Sequence, residues 1–124
     1  MWAGPLHDKD FIQKLKETVD SLDEEVYKTK PRIQGTLSLV EEELDVPFYR
    51  TPSGLSHVLH CQTPSSDQVW SALANAGYKV SSTHCLAGAF KTDAPAHVLW
   101  DMMKAWVFFH PVSVLILGRG ESCY

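Results

Sequence analysis

The stretch TPSGLSHVLHCQTPSSDQVW, residues 51–70, repeats Thr-Pro-Ser at a spacing of twelve and holds Leu59-His60-Cys61 between the copies. A proline costs nothing at the first position of a helix, where its missing amide would have no partner, and a threonine just before it caps the free amides that follow. Each Thr-Pro-Ser is therefore read as a helix start, with Thr51 and Thr63 as the caps. The first launches a short helix with Leu55, Val58 and Leu59 on its inner face. The second launches a longer one with Val69, Trp70, Leu73 and Ala76, closed by Gly77 in the left-handed conformation. His60-Cys61 then falls in the last turn of the short helix, where an imidazole meets free carbonyls.

Upstream, MWAGPLHDKDF turns at Gly4-Pro5, and Asp8 is placed to cap a helix whose apolar residues are Phe11, Ile12, Leu15, Val19 and Leu22. A second helix begins around Pro31 and carries Ile33, Leu37, Val40 and Leu44. Glu41 to Glu43, near its end, read as a solvated face. VPFYR, residues 46–50, reads as an edge strand because Pro47 cannot donate to a ladder. Downstream, YKVSSTH and AFKTD form a hairpin around a Gly-containing loop. A final helix places Val98, Leu99, Met102, Met103 and Trp106 on one stripe. The expected class is α+β: mostly helical, with a winged-helix-like core of three helices plus a β-hairpin, and a final amphipathic helix.

A chain of 124 residues holds one domain. Its net charge of −4 is uneven: residues 1–25 carry three Lys/Arg against seven Asp/Glu, and residues 26–104 carry seven of each. No global basic footprint for nucleic acid follows from this. Three cysteines without a CxxC pair favour a reducing compartment. The start lacks the basic region and long apolar core of a signal peptide. The apolar run from Val107 to Leu117 is broken by His110-Pro111 and is too short for a bilayer.

The local chemistry is thin. His57, His60, Cys61, His84 and Cys85 include zinc-type ligands, but the paired-cysteine knuckle is missing and neighbouring side chains diverge by about 100° on a helix. No metal is expected. Cys61 sits at a helix C-terminus, where a thiolate is disfavoured; Cys85 lies beside His84 and is the better placed thiol. No P-loop, HExxH or full GxGxxG occurs. VSVLILGRG, near the C-terminus, imitates a strand entering a nucleotide loop, but no helix follows it to present amides. Six cations remain: Lys28, Lys30, Arg32, Arg50, Lys79 and Lys91. They read either as ordinary surface charge or as phosphate contacts, with Lys28, Lys30 and Arg32 gathered where free helix amides add to them.

Four segments carry a resemblance: MWAGPLHDKDF, VPFYRTPSGLSHVLHCQTPS, SALANAGYKVSSTHCLAGAFKTDAP and LWDMMKAW. In this order, over about residues 2–106, the chain resembles the C-terminal domain of the tRNA guanine-26 N2-dimethyltransferase family, in its eukaryotic-like form. Met1 stands where that family usually has Leu. The resemblance implies a tRNA partner and the methyl donor S-adenosylmethionine. It also implies a catalytic domain with a glycine-rich loop and an Asp-Pro-aromatic motif, neither of which occurs here. The chain is therefore expected to be a piece without catalytic or cofactor-binding residues of its own. Its implied role is to grip tRNA through Lys28, Lys30, Arg32, Arg50, Lys79 and Lys91, with His84 as a further RNA contact. A nuclear or mitochondrial location is implied, with neither membrane nor DNA as partner. Residues 107–124 depart from the family pattern and are expected to form a poorly ordered apolar tail. The alternative is a winged-helix scaffold that binds protein and has no RNA affinity, a reading favoured by the neutral balance of residues 26–104.

Overall fold

Five helices and one hairpin follow in the order α1 (Lys9–Asp20), α2 (Lys30–Glu42), α3 (Pro52–Leu59), α4 (Ser66–Asn75), β1 (Val80–Ser82), β2 (Phe90–Thr92) and α5 (Ala96–Phe109) in a computed structural model that describes residues 4–111. The class is α+β, and α2, α3, α4 and the hairpin succeed one another as in a winged helix. No helix among the described residues is long and apolar enough to cross a membrane.

The helix ends follow local chemistry. Asp8 caps α1 by accepting the Phe11 amide at 3.1 Å, and Thr51 caps α3 by accepting the Gly54 amide at 3.0 Å. At the end of α4 the Tyr78 amide donates to the Leu73 carbonyl and the Gly77 amide to that of Ala74, with Gly77 at φ 86. This double bond pattern satisfies carbonyls the helix leaves open, and it requires a left-handed residue. The same pattern ends α3, where the Cys61 amide donates to Ser56 and the His60 amide to His57; here His60 takes the left-handed position at φ 49.

The core gathers Leu55 from α3, Val69 and Leu73 from α4, Phe90 from β2, and Leu99 and Met103 from α5. Phe90 and Met103 are completely buried. Each such side chain stabilises the fold by about 2 kcal/mol. Trp106 fixes α5 to the α3–α4 link by donating its indole N–H to the Gln62 carbonyl at 2.7 Å. α1 packs on α2 through buried Ile12 and Val19, and Lys16 meets Glu41 at 2.6 Å across that contact.

The strands pair antiparallel as Val80↔Thr92, Ser81↔Lys91 and Ser82↔Phe90. Since strand neighbours alternate faces, Phe90 enters the core while the Ser81–Lys91 pair points the other way, toward the end of α2. There the Leu44 amide donates to Ser81 Oγ at 2.9 Å.

Several sequence expectations need correction. α4 starts two residues later than the second Thr-Pro-Ser indicates: Ser65 is its cap, in a reciprocal capping box with Gln68, and this local pair outcompetes Thr63. Thr63 instead bonds Ser56 Oγ at 2.7 Å. Residues 46–50 form no strand; only Arg50 bridges to Phe90, after Phe48 turns the chain with φ 65. Phe11 and Val58, expected inside, are 58% and 61% exposed. Helix α5 runs three residues past Trp106 to Phe109, into the segment expected as tail. Residues 112–124, which hold the rest of that segment, lie outside the described residues.

Candidate functional site

A buried carboxylate organises the most polar part of the interior. Glu43 follows the last residue of α2, where the backbone turns from helical to extended, and its side chain has no solvent exposure. Oε1 accepts from Thr83 Oγ1 at 3.0 Å and lies 2.8 Å from Lys91 Nζ, a contact made by charge rather than by a well-aligned hydrogen bond. Oε2 accepts from the His84 amide at 3.2 Å and meets His84 Nδ1 at 2.6 Å. His7 Nε2 stands 3.6 Å from the same oxygen, and its ring meets that of His84 edge-on at 5.3 Å. Burial by itself pushes the Glu43 carboxyl up. The bond from the His84 imidazole, the charge of Lys91, and the bonds from the His84 amide and Thr83 outweigh that penalty and hold it at about 2, below the ordinary 4.5. An ionised acceptor fixes the His84 tautomer: Nδ1 donates.

The arrangement joins three segments distant in sequence: the N-terminal stretch with His7, the end of α2, and both arms of the hairpin. His7, Thr83, His84 and Lys91 all stand in the sequence segments quoted above, and Glu43 is the residue on which they converge. Glu43 is not on a solvated face. Helical spacing gave a cue, since Glu43 lies three positions after Val40 of the apolar stripe, but the run of three glutamates masked it.

The seven residues singled out for RNA do not share one role. Lys91 is only 2% exposed and serves Glu43. Lys30 is 9% exposed; its Nζ donates to the carbonyls of Asp20 and Leu22, both at 3.0 Å, and so meets the negative end of α1. Lys28 lies in the turn before α2, Arg32 in its first turn, Arg50 at the bridge to Phe90, and Lys79 just ahead of β1. These four are exposed and have no ion-pair partner among the described residues. His84 is divided: one ring nitrogen is held by Glu43, while a third of its side chain remains exposed.

The residues weighed as metal ligands are also separated. His57 and His60 are exposed with ring centroids 6.0 Å apart, and Cys61 rests against the core. Ligand atoms of His7, Glu43 and His84 do approach within 4.8 Å of one another. Their chemistry does not suit a cation: the Lys91 ammonium already occupies the carboxylate, and the direct 2.6 Å bond between Glu43 and His84 leaves no room between them for an ion. A cleft of about 500 Å³ between α4 and α5 is lined by Val69, Ala72, Val98, Met102, Trp106 and Phe109, and is almost wholly apolar.

Comparison with known proteins agrees with this architecture. The model of the N2,N2-dimethylguanosine tRNA methyltransferase family matches residues 1–104. The chain belongs to that family. It is 47% identical, over 98% of its length, to the tRNA (guanine(26)-N(2))-dimethyltransferase of Schizosaccharomyces pombe, and 49% identical, over 86%, to the Homo sapiens enzyme of the same name. It spans only 22% and 16% of those relatives' own lengths. A solved structure of Trm1 from Pyrococcus horikoshii with S-adenosyl-L-methionine superposes with a TM-score of 0.71 at 27% identity, covering 82% of this chain and 27% of that one.

Proposed function

We propose that this chain is the tRNA-gripping part of an S-adenosylmethionine-dependent tRNA (guanine-26 N2)-dimethyltransferase. Membership of the family over residues 1–104 carries the reading. The exposed cations Lys28, Arg32, Arg50 and Lys79, without an ion-pair partner among the described residues, support it, because phosphate contacts position folded RNA without reading its sequence. Lys30 and Lys91 hold the scaffold in place, and the exposed edge of His84 offers a stacking or donor group. In the whole enzyme the work of this part is to orient tRNA so that a guanine turned out of its stack reaches the methylating site.

The methyl group comes from S-adenosylmethionine in the whole enzyme, and the residues described here do not fit that donor. An adenosyl donor is held where a glycine-rich turn links a strand to a helix. The corresponding link here, between β2 and α5, contains no glycine and ends at Pro95. The side chains exposed at Phe48 and Val58, 61% each, suit packing against the remainder of the enzyme. The proposed location is the nucleus or the mitochondrion.

Fluorescence anisotropy with labelled tRNA tests the reading. Affinity should fall more than about tenfold between 50 and 200 mM salt. Replacing Lys28, Arg32, Arg50 and Lys79 together by Ala should weaken binding and flatten the salt dependence. Salt-independent binding, or binding untouched by the four changes, would overturn it.

A further inference from the structure

We propose that Cys85 is a nucleophilic thiol, activated by His84 and Glu43, that forms mixed disulfides with low-molecular-weight disulfides. Cys85 is exposed in the hairpin loop, and its Sγ lies 3.7 Å from His84 Nε2. The other nitrogen of that ring, Nδ1, is held by the ionised Glu43 carboxylate at 2.6 Å, so in the neutral ring it is Nε2 that carries the lone pair, and Nε2 faces the thiol. Thiol, imidazole and buried carboxylate therefore stand in the order that activates a nucleophile in cysteine hydrolases. The charges around the relay suit it. Lys91 offsets the charge of Glu43, so a thiolate would not face an uncompensated anion, and the His7 ring meets that of His84 edge-on.

The step balances with the disulfide as the only co-reactant. The Cys85 proton passes to His84 Nε2, and the sulfur attacks one sulfur of RS–SR. The Cys85–S–SR bond forms as the S–S bond breaks, and the departing RS⁻ takes the proton back from His84. Among the described residues Cys61 has no such relay. Its thiol is half-buried against the core and directed at the Ser56 carbonyl at 3.8 Å.

The test uses the full 124-residue chain with Cys123→Ser, incubated with excess oxidised glutathione, quenched in acid and mapped by peptide mass. The same reaction in urea gives each cysteine's rate in the unfolded chain. Folding should accelerate Cys85 by about tenfold while slowing Cys61. His84→Asn, checked for helix content by circular dichroism, should return Cys85 to near its unfolded rate. A Cys85 rate that folding leaves unchanged or lowers overturns the proposal. So does a folded His84→Asn protein with the original rate. Should that variant not fold, the folded-against-unfolded comparison in the parent chain decides.

Discussion

Replacing Glu43 by Gln removes the one charge on which the N-terminal stretch, α2 and the hairpin converge. The cost can be worked from the carboxyl itself. A fall from the ordinary 4.5 to about 2 is a free energy of roughly 3 kcal/mol, at 1.36 kcal/mol for each tenfold in proton affinity. The carboxylate is fully covered, but by one layer of side chains in which His84 is a third exposed, so solvent screening reduces this to about 2 kcal/mol. The substitution also leaves the Lys91 ammonium buried without its counter-charge, and breaking such a pair from one side costs about 3–5 kcal/mol. The two figures overlap in what they count, and we expect about 3 kcal/mol. At about 4 °C per kcal/mol for a domain of this size, the melting midpoint should fall by about 12 °C at pH 7. The group's affinity for protons is depressed on folding, so its contribution is complete above 4.5 and is lost as pH falls toward about 2. The gap between parent and variant should therefore close across that window. Adding Lys91→Met to Glu43→Gln should recover much of the loss, since the neutral pair leaves no orphaned charge. Melting followed by circular dichroism at pH 7 and at about pH 2.5 measures all three. A variant within about 2 °C of the parent at pH 7, or a gap that does not narrow in acid, would refute the reasoning.

Two glycines should respond with opposite sign. Gly35 lies inside α2 with open space where a Cβ would stand, so Gly35→Ala should stabilise the chain by about 0.5–1 kcal/mol in urea titrations. Gly77 is held at φ +86, so Gly77→Ala should destabilise it by about 1 kcal/mol. The Ser65 cap should be worth about 1 kcal/mol in Ser65→Ala, with Ser65→Gly losing only a few tenths; equal losses would return the start of α4 to Thr63. In tRNA titrations, Arg32→Ala should lower the salt slope by about one while leaving the melting midpoint in place. Lys91→Ala should do the reverse, lowering the midpoint first, because its ammonium faces Glu43 rather than solvent.

Much of the architecture is legible in residue chemistry. Asp8, Thr51-Pro52 and Gly77 announce helix ends with local bonds that need no tertiary partner, and all three act as the sequence indicates. The stripe from Val98 to Trp106 packs against the core as its spacing requires. Where two local signals compete, the sequence does not rank them: Thr63-Pro64 and the Ser65–Gln68 box both mark a start for α4, and the reciprocal pair prevails. The polar cluster was hidden for a different reason. Glu43 and Lys91 each look like surface charges within their own segments, and only the hairpin register, which sets Ser81 beside Lys91 and aims both at the end of α2, brings them together. That pairing is long-range, so it leaves no periodic trace. The same limit affects the cations chosen for RNA. Lys30 belongs to the end of α1 because α1 and α2 pack, a fact absent from residues 28–32 alone.

On the function proposed above, this chain meets tRNA through the exposed cations around α2 and the hairpin. Amide chemical-shift mapping of the ¹⁵N-labelled chain on addition of tRNA tests it most directly. The shifts should centre on Lys28, Arg32, Arg50, Lys79 and His84. Shifts confined to the apolar cleft between α4 and α5, or no shifts at any tRNA excess, would contradict it.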